Sequence, residues 1–293
     1  MPSMIERYLV RYFLAVVDQG NFSAAAQHCR VTQPTLSVGV AKLEALLEAP
    51  LFERSNRQVR LTAAGTRFVE HARRIENAFN LAKRSVQVEA DVGVVRLGVL
   101  NSLPGPELAR MTALALARLP ASAFELVPGT ARELHARLNQ GRIDVALTIT
   151  STGATTFLER TLRTEGFALF LPATHPLSQR EVIAAEDVAQ DVMIVRRHCE
   201  SLAAISRHFT DKNVRPHFAL RTTNDDRVLQ MIAAGLGITV MPTSFQAAGV
   251  RSTGLLGFDL RRSIGLAFSP AAERLQSNPQ RIVLAAIETF SRS

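Results

Sequence analysis

NFSAAAQHCRVTQPTLSVGVAKLEALLEAPLFERSNRQVRLT, residues 21–62, decides how the rest of this chain is read. An Ala-rich segment, Ser23–Cys29, is followed by a short polar turn, Arg30–Thr32. A second amphipathic segment covers Gln33–Leu47, and an extended arm follows with Arg54, Arg57 and Arg60. Ser23 is the expected N-cap of the first helix and Thr32 of the second. Pro34 is tolerated in that helix's first turn, where a missing N–H has no partner to lose. Leu36, Val40, Leu43 and Leu47 recur at helical spacing and form a core-facing stripe. Gln33, Thr35, Ser37 and Val38 are left facing outward. Two short helices joined by a tight turn, then a basic arm, is the arrangement that sets a helix in a DNA groove and holds the flanking phosphates.

Working outward, residues 5–18 place Ile5, Leu9, Phe13, Val16 and Val17 on one helical face, ended by Gly20. Downstream, a long helix is expected over Thr62–Val88. Its apolar positions Phe68, Ala72, Ile75, Phe79, Ala82 and Val86 alternate spacings of four and three, a heptad seam. A seam that narrow fits a second copy of the same helix; packing on the chain's own domains is the alternative. Beyond Asp91–Gly93 the pattern alternates strand and helix, from VGVVRLGVL (92–100) to a last helix over Pro279–Phe290. That alternation predicts βαβ units and an open α/β sheet.

The chain has 293 residues, 47% of them hydrophobic, enough for about two packed domains. Its formal net charge is +8, which favours a polyanionic partner. The basic excess is densest in 52–74, where six Arg face Glu53 and Glu70. Two cysteines, Cys29 and Cys199, are no disulfide framework, and a cytoplasmic location is expected. The opening MPSMIERYLVRY has no apolar core of a signal peptide, and no membrane partner is expected. The seven His show no metal-ligand spacing, and no P-loop, GxGxxG after a strand or GxSxG occurs. No cofactor, no metal and no catalytic residue is therefore expected.

The helix-turn-helix block FSAAAQHCRVTQPTLS, the arm PLFER…VRLTAAG, the entry strand RLGVL, GRIDVAL and AAGLGITVMP together resemble the LysR-type transcriptional regulators along the whole length. The resemblance implies a winged helix-turn-helix domain over 1–62, a dimerising linker helix over 63–90, and an effector domain over 91–293. That effector domain is a two-lobed α/β fold like a periplasmic binding protein. Lobe I is placed at about 91–162 and 267–293, and lobe II at about 163–266. The crossings fall near Leu162–Gly166 and Arg261–Ser263. Implied partners are double-stranded DNA, a small-molecule effector (a carboxylate being one class), a homodimer or dimer of dimers, and RNA polymerase. Two departures stand out. Val38 and Gly39 sit where the family often has longer polar side chains, and Glu48-Ala49-Pro50 replaces a usual Gly before the arm.

The DNA-binding candidates are Ser23, Thr32, Gln33, Pro34, Thr35, Ser37, Arg54, Arg57 and Arg60. Gln is suited to adenine in the major groove, and the arginines to phosphates or the minor groove. Effector candidates are polar residues where a strand meets a helix start, since free N–H groups there bind anions. In lobe I these are Asn101, Ser102, Thr130, Thr148 and Thr150; in lobe II they are Arg196, His198, Cys199, Thr223 and Asn224. For each, a plain helix cap or packing role is the competing reading. Cys199, beside Arg196, Arg197 and His198 at an expected helix start, should have a lowered thiol pKa. It falls where the peroxide-sensing branch of the family carries its reactive cysteine, although that branch uses a second nearby cysteine that this chain lacks. Three functions are thus in play: an effector-controlled regulator, a thiol-sensing regulator acting through Cys199, and a solute-binding α/β protein whose N-terminus serves assembly.

Overall fold

The computed structural model describes residues 4–54, 59–86, 94–150, 157–269, 272 and 280–291. Two compact units divide the chain near residue 92, with the short segment Asn139–Arg142 grouped with the first. In the first unit, α1 (Arg7–Gln19), α2 (Phe22–Cys29) and α3 (Gln33–Leu46) surround a core of Leu9, Phe13, Val16, Ala25, Leu36, Val40 and Leu43. Gly20 closes α1 with φ 72°, a left-handed conformation that glycine adopts without strain. Asn21 then caps α2, its Oδ1 accepting from the Ala24 N–H at 2.7 Å. The cap expected at Ser23 therefore lies two residues earlier, and Ser23 is an exposed residue of the first turn. Thr32 caps α3 as its sequence suggests, accepting from the Thr35 N–H at 3.3 Å, with Pro34 in the first turn.

Gly39 is not on the exposed face of α3. It is buried against α1, and a Cβ there would meet the Tyr12 ring at 2.5 Å. Its missing side chain lets two helices approach, so its helix-propensity cost of about 1 kcal/mol serves packing. Glu48 takes the left-handed conformation, φ 51°, after α3, the kind of turn that a glycine usually supplies. The arm is a two-stranded antiparallel ribbon, β1 (Phe52–Arg54) with β2 (Val59–Leu61). Thr62 ties it to the next helix: its Oγ1 donates to the Pro50 carbonyl at 2.6 Å and accepts from the Gly65 N–H at 2.9 Å.

Helix α4 (Ala63–Val86) uses one face for its own unit. Phe68 packs against Phe13 with ring centroids 5.2 Å apart and planes tilted by 60°, and Ala72 is fully buried. One turn on, Glu76 receives both ends of the Arg7 guanidinium at 2.8 and 2.9 Å, and Arg7 also reaches Asn80 at 2.9 Å. The expected seam thus divides. Phe68 and Ala72 enter the helix-turn-helix core, whereas Phe79 is 46% exposed and Ala82 is exposed.

The second unit is built on one mixed sheet of order β4-β3-β5-β12-β6-β11-β7, with β10 also paired to β6. Strands β3 (Val95–Leu100), β4 (Phe124–Gly129) and β5 (Val145–Thr150) are parallel, linked by α5 (Gly105–Leu116) and α6 (Ala131–Asn139). Their core includes Leu97, Met111, Leu134, Leu147, Leu266 and Phe290. Strand β6 (Leu158–Pro172) is fifteen residues long and leaves this core for a second one. There Phe167, Leu169 and Leu171 face one apolar cluster while Ala168 and Phe170 face another. Strands β7 (Val182–Ile183), β10 (Thr239–Pro242) and β11 (Val250–Leu255) complete that part of the sheet. A separate parallel pair, β8 (Val192–Arg196) with β9 (His217–Thr222), joins through α7 (Leu202–Asp211) and precedes α8 (Asp225–Ala233). Strand β12 (Arg261–Phe268) returns beside β6 with Arg261 opposite Gly166 and Arg262 opposite Glu165, and α9 (Arg281–Phe290) closes the first core. The chain passes between the two apolar cores on the adjacent strands β6 and β12.

At Gly65 a Cβ would stand 2.1 Å from the Leu51 carbonyl oxygen, a backbone atom that cannot swing away. Gly65→Ala is expected to destabilise the N-terminal unit by about 1–3 kcal/mol despite its better helix propensity. Urea melts followed by far-UV circular dichroism measure this; an unchanged midpoint would show that the arm–helix junction yields freely.

Candidate functional site

On the exposed N-terminal half of α3, the polar side chains hold one another in place. Gln33 Nε2 donates to Ser37 Oγ at 2.9 Å, and the Thr32 and Thr35 hydroxyls are 2.7 Å apart. These are exposed i,i+3 and i,i+4 pairs, which orient the side chains while leaving further lone pairs and N–H groups toward solvent. Val38 follows them, 69% exposed and apolar, a surface suited to a thymine methyl group. Lys42 is engaged by Glu6 at 2.6 Å. On the ribbon, Arg60 stands opposite Glu53. Arg57 lies outside the described residues, as do the side chains of Arg54 and Val86. Positioning of this surface rests on α1 and α4, which grip the helix pair through Phe13, Phe68 and the Arg7–Glu76 pair.

In the second unit the expected effector residues separate by role. Thr130 is a helix cap: its N–H and hydroxyl both reach Glu133 Oε2, at 2.7 and 2.9 Å. Asn224 is another, its Oδ1 accepting from the Arg227 N–H at 2.9 Å. Asn101 and Thr223 are exposed, with the Asn101 N–H spent on the Gly129 carbonyl at 2.9 Å. Thr150 is bonded to Thr161, hydroxyl to hydroxyl at 2.9 Å. Thr148 is fully buried, and its Oγ1 has no partner.

The remaining candidates do converge. Arg196 is 2% exposed and grips Asp225 through Nε, at 2.7 Å to Oδ1, and through Nη2 to Oδ2. Its Nη1 donates to Cys199 Sγ at 3.5 Å, and its guanidinium lies 5.5 Å from the centre of the Phe245 ring. His198 places Nε2 3.4 Å from the same carboxylate, while its Nδ1 is buried without a partner. Burial raises the cost of ionising Asp225, yet the Arg196 and His198 contacts outweigh it and hold the carboxyl below its ordinary range.

For Cys199 the balance falls the other way. Burial pushes the thiol up, and the Arg196 charge recovers only part of that. The lowered pKa that its basic sequence neighbours suggest is thus not found. Arg196 spends its charge on Asp225, and the Cys199 side chain sits in an apolar wall. That wall bounds a cavity of about 400 Å³ lined also by Leu202, Ile205, Phe209, Val214 and Phe218.

Sequence reasoning did not single out Asp225, Glu200, Arg163, Glu165, Arg262 or Glu107, which form ion pairs of low exposure in this unit. Arg262 donates through Nε to Glu165 at 2.8 Å, and through Nη1 to Ser102 Oγ at 2.9 Å. Arg163 is chelated by Glu107 at 2.6 and 2.7 Å. The missed signal was charge itself: four ionisable residues inside two short crossing segments otherwise read as boundaries. Among the described residues no group of His, Cys, Asp and Glu could hold a metal, and no helix is long and apolar enough to cross a membrane.

A helix-turn-helix unit with a ribbon arm, followed by an α/β unit whose second core is reached and left through the adjacent strands β6 and β12, defines a class. The model of the bacterial regulatory helix-turn-helix protein, lysR family, matches residues 8–66, and that of the LysR substrate binding domain matches residues 89–285. The chain belongs to the LysR family. It is 32% identical over 240 residues to the hydrogen peroxide-inducible genes activator of Dickeya chrysanthemi, covering 80% of this chain and 78% of that protein. It is also 32% identical over 285 residues to the probable hydrogen peroxide-inducible genes activator of Mycobacterium leprae, covering 92% and 90%. In fold it is similar to a putative LysR family transcriptional regulator from Pseudomonas aeruginosa, with a TM-score of 0.55, 20% identity, and 99% and 100% of the two chains covered. The protein is therefore a DNA-binding transcriptional regulator with an effector-binding α/β domain.

Breaking the buried pair has a large expected cost. Asp225→Asn leaves Arg196 as an unpaired buried charge and should destabilise the second unit by about 3–5 kcal/mol. A carboxyl held below its unfolded pKa of about 3.9 contributes above that value, and its contribution is lost as pH falls through the lower folded one. The unfolding midpoint of the wild-type chain should accordingly drop steeply below about pH 4, and that of the Asn variant less steeply. Parallel slopes in the two proteins would remove Asp225 from the acid response.

Proposed function

We propose that this regulator binds DNA through Gln33, Thr35, Ser37 and the arm arginines, and that its signal is oxidation of Cys199. The observation that carries the second statement is the placement of Cys199. Its sulfur accepts a hydrogen bond from Arg196 and borders a cavity of about 400 Å³, many times the volume of a peroxide. Two relatives at 32% identity are named as hydrogen peroxide-inducible genes activators, which supports the same reading. The step is a displacement. The Cys199 thiolate sulfur attacks one peroxide oxygen, the O–O bond breaks, and the other oxygen leaves as hydroxide and takes a proton to become water. Cys199 is left as sulfenic acid. Since burial favours the thiol, reaction in this conformation is slow and quickens when the cavity opens to water.

A sulfenic acid is larger and more polar than a thiol, and it would form beside the Arg196–Asp225 pair. That would disturb the ion pair that ties the start of α8 to the end of β8. Cys29 is half-buried in the N-terminal unit. The second unit therefore has no other cysteine to trap the sulfenic acid, which persists or is capped by a low-molecular-weight thiol. Assembly as a homodimer or dimer of dimers would use the seam positions of α4 beyond Ala72, where Phe79 is exposed. RNA polymerase is a partner such a regulator would engage once on DNA.

A second reading has one observation in its favour. The buried, unpartnered Thr148 hydroxyl is a place where a bound small molecule would complete a hydrogen bond.

Mass spectrometry after mild peroxide should find one added oxygen, or a thiol adduct, on the peptide bearing Cys199. An unmodified Cys199 under conditions that alter DNA binding would turn the assignment to the small-molecule reading. On the DNA side, the double substitution Arg54→Ala with Arg57→Ala should abolish the gel shift on DNA upstream of the gene. If weak binding survives, the slope of log K against log salt should shrink by about 0.9 for each phosphate no longer neutralised.

A further inference from the structure

The cavity that Cys199 borders is apolar in its interior. It lies between α7 and strands β8, β9 and β10, and its volume is about 400 Å³. Met193, Ile205, Phe209, Val214 and Val240 line it, all of them buried, and Cys199 stands among them at 7% exposure. Both threonine hydroxyls at its wall are already engaged. Thr239 donates to the Ile194 carbonyl at 2.7 Å, and Thr210 donates to the Ser206 carbonyl at 2.7 Å. Arg196 gives two of its donors to Asp225 and turns Nη1 to the Cys199 sulfur. Exposed residues stand at the rim: Arg215, Phe218 and Arg221, with the Arg221 guanidinium 5.4 Å from the centre of the Phe218 ring.

Such a lining discriminates among oxidants by polarity. Both heavy atoms of hydrogen peroxide are hydrogen-bonded in water, and entering this cavity would strip those bonds with few given back. Apolar cavities stay dry and take up hydrocarbons instead; one of about 150 Å³ lined by aliphatic and aromatic side chains holds benzene. The volume here falls in the usual range of small-molecule pockets, about 300–1,000 Å³. We propose that the oxidant of Cys199 is an organic hydroperoxide, ROOH, whose alkyl or aryl group fills the cavity and brings its O–O bond to the sulfur. This rests on the reading of Cys199 as the reacting residue and adds the class of its substrate. The thiol first loses its proton to water. The thiolate sulfur then attacks the terminal, hydrogen-bearing oxygen, and the O–O bond breaks. The alkoxide leaves and takes a proton to become the alcohol ROH. Sulfur gives up two electrons and becomes a sulfenic acid, and the hydroperoxide accepts them. Held beside the sulfur, the hydroperoxide reacts at a high effective concentration, which offsets the small thiolate fraction that burial leaves.

Cumene hydroperoxide and hydrogen peroxide, each added to the full-length protein at equal concentration, make the test. Samples are quenched at intervals by denaturation in iodoacetamide, and the loss of the alkylated Cys199 peptide is followed by mass spectrometry. Free cysteine treated in the same way corrects for the intrinsic reactivity of the two oxidants. After that correction cumene hydroperoxide should modify Cys199 about ten-fold faster than hydrogen peroxide. The product alcohol, cumyl alcohol, is no oxidant and should slow the cumene hydroperoxide reaction by occupying the cavity. Leu202→Trp, which fills the cavity from α7, should bring the corrected ratio close to one. Where that variant does not fold, protection of the wild type by the alcohol decides alone. A corrected ratio near one in the wild type, or no protection by the alcohol, overturns the organic substrate and leaves Cys199 as the reacting residue. Modification by neither oxidant overturns both the substrate and the reading on which it rests.

Discussion

Arg262 and Glu165 face each other on the two strands that run from one core of the effector domain to the other, and their ion pair is buried. The side chains are 3% and 6% exposed and 2.7 Å apart. Burying two charges costs several kcal/mol per ion, and close pairing roughly returns that cost, so the pair adds little net stability. What it does is fix register. A slip of one residue between β6 and β12 would turn the carboxylate to the opposite face and strand the guanidinium. A β-bulge between Ile264 and Gly265, opposite Arg163–Thr161, adds a second lock at the same place. The chain joins the two apolar cores through this stretch of paired strand, so their mutual orientation depends on polar registry more than on apolar packing. A contact of that kind tolerates a change of partner, whereas a packed apolar core does not.

In the DNA-binding unit the controlling constraint is how one helix serves two surfaces. Residues 68, 72, 76 and 80 of α4 lie one turn apart, and all contact their own unit. A strictly heptad reading assigns the first two to a partner copy. Local burial takes them instead, because Phe13 and Phe52 would otherwise expose their rings. The face left over is short. Arg7 partly covers it, with its guanidinium 4.9 Å from the Phe79 ring centre. A dimer built on that face would place residues of α1 at its edge, and would couple the α1–α4 clamp to the spacing of two recognition helices.

Much of this was legible in the sequence where periodicity or a cap carries the information. Thr32 and Pro34 mark the start of α3 correctly, since a cap is a local interaction read within four residues. Strands β3 and β5 are apolar runs buried on both faces and are equally plain. Where a strand is half polar, the pattern fails. The first half of β6, LERTLRTE, reads as surface chain, and β8 ends in Arg196, a charge that masks four apolar residues before it. Strand β11, VRSTGL, has no apolar run at all and is placed only by its pairing to β6. The candidate site was legible as residue types but not as partners. Arg196, His198 and Cys199 were found together because they are neighbours in the chain. Asp225, Glu200 and Arg262 were not, because their importance arises from contacts across 29, 98 and 160 residues.

The environment of Cys199 shows why basic neighbours in sequence are a poor guide to thiol chemistry. Two arginines and a histidine precede it, yet the thiol is raised above its ordinary range. Arg196 is buried, and a buried guanidinium must be matched by a carboxylate, here Asp225. Once that pair forms, its field at the sulfur is that of a dipole rather than a charge, and desolvation by the apolar wall becomes the larger effect. Anything that draws Asp225 or Glu200 away would leave more of the Arg196 charge facing the sulfur and favour the thiolate. The ionisation of Cys199 therefore depends on how far Asp225 offsets the Arg196 charge at the sulfur, and in this structure burial favours the thiol.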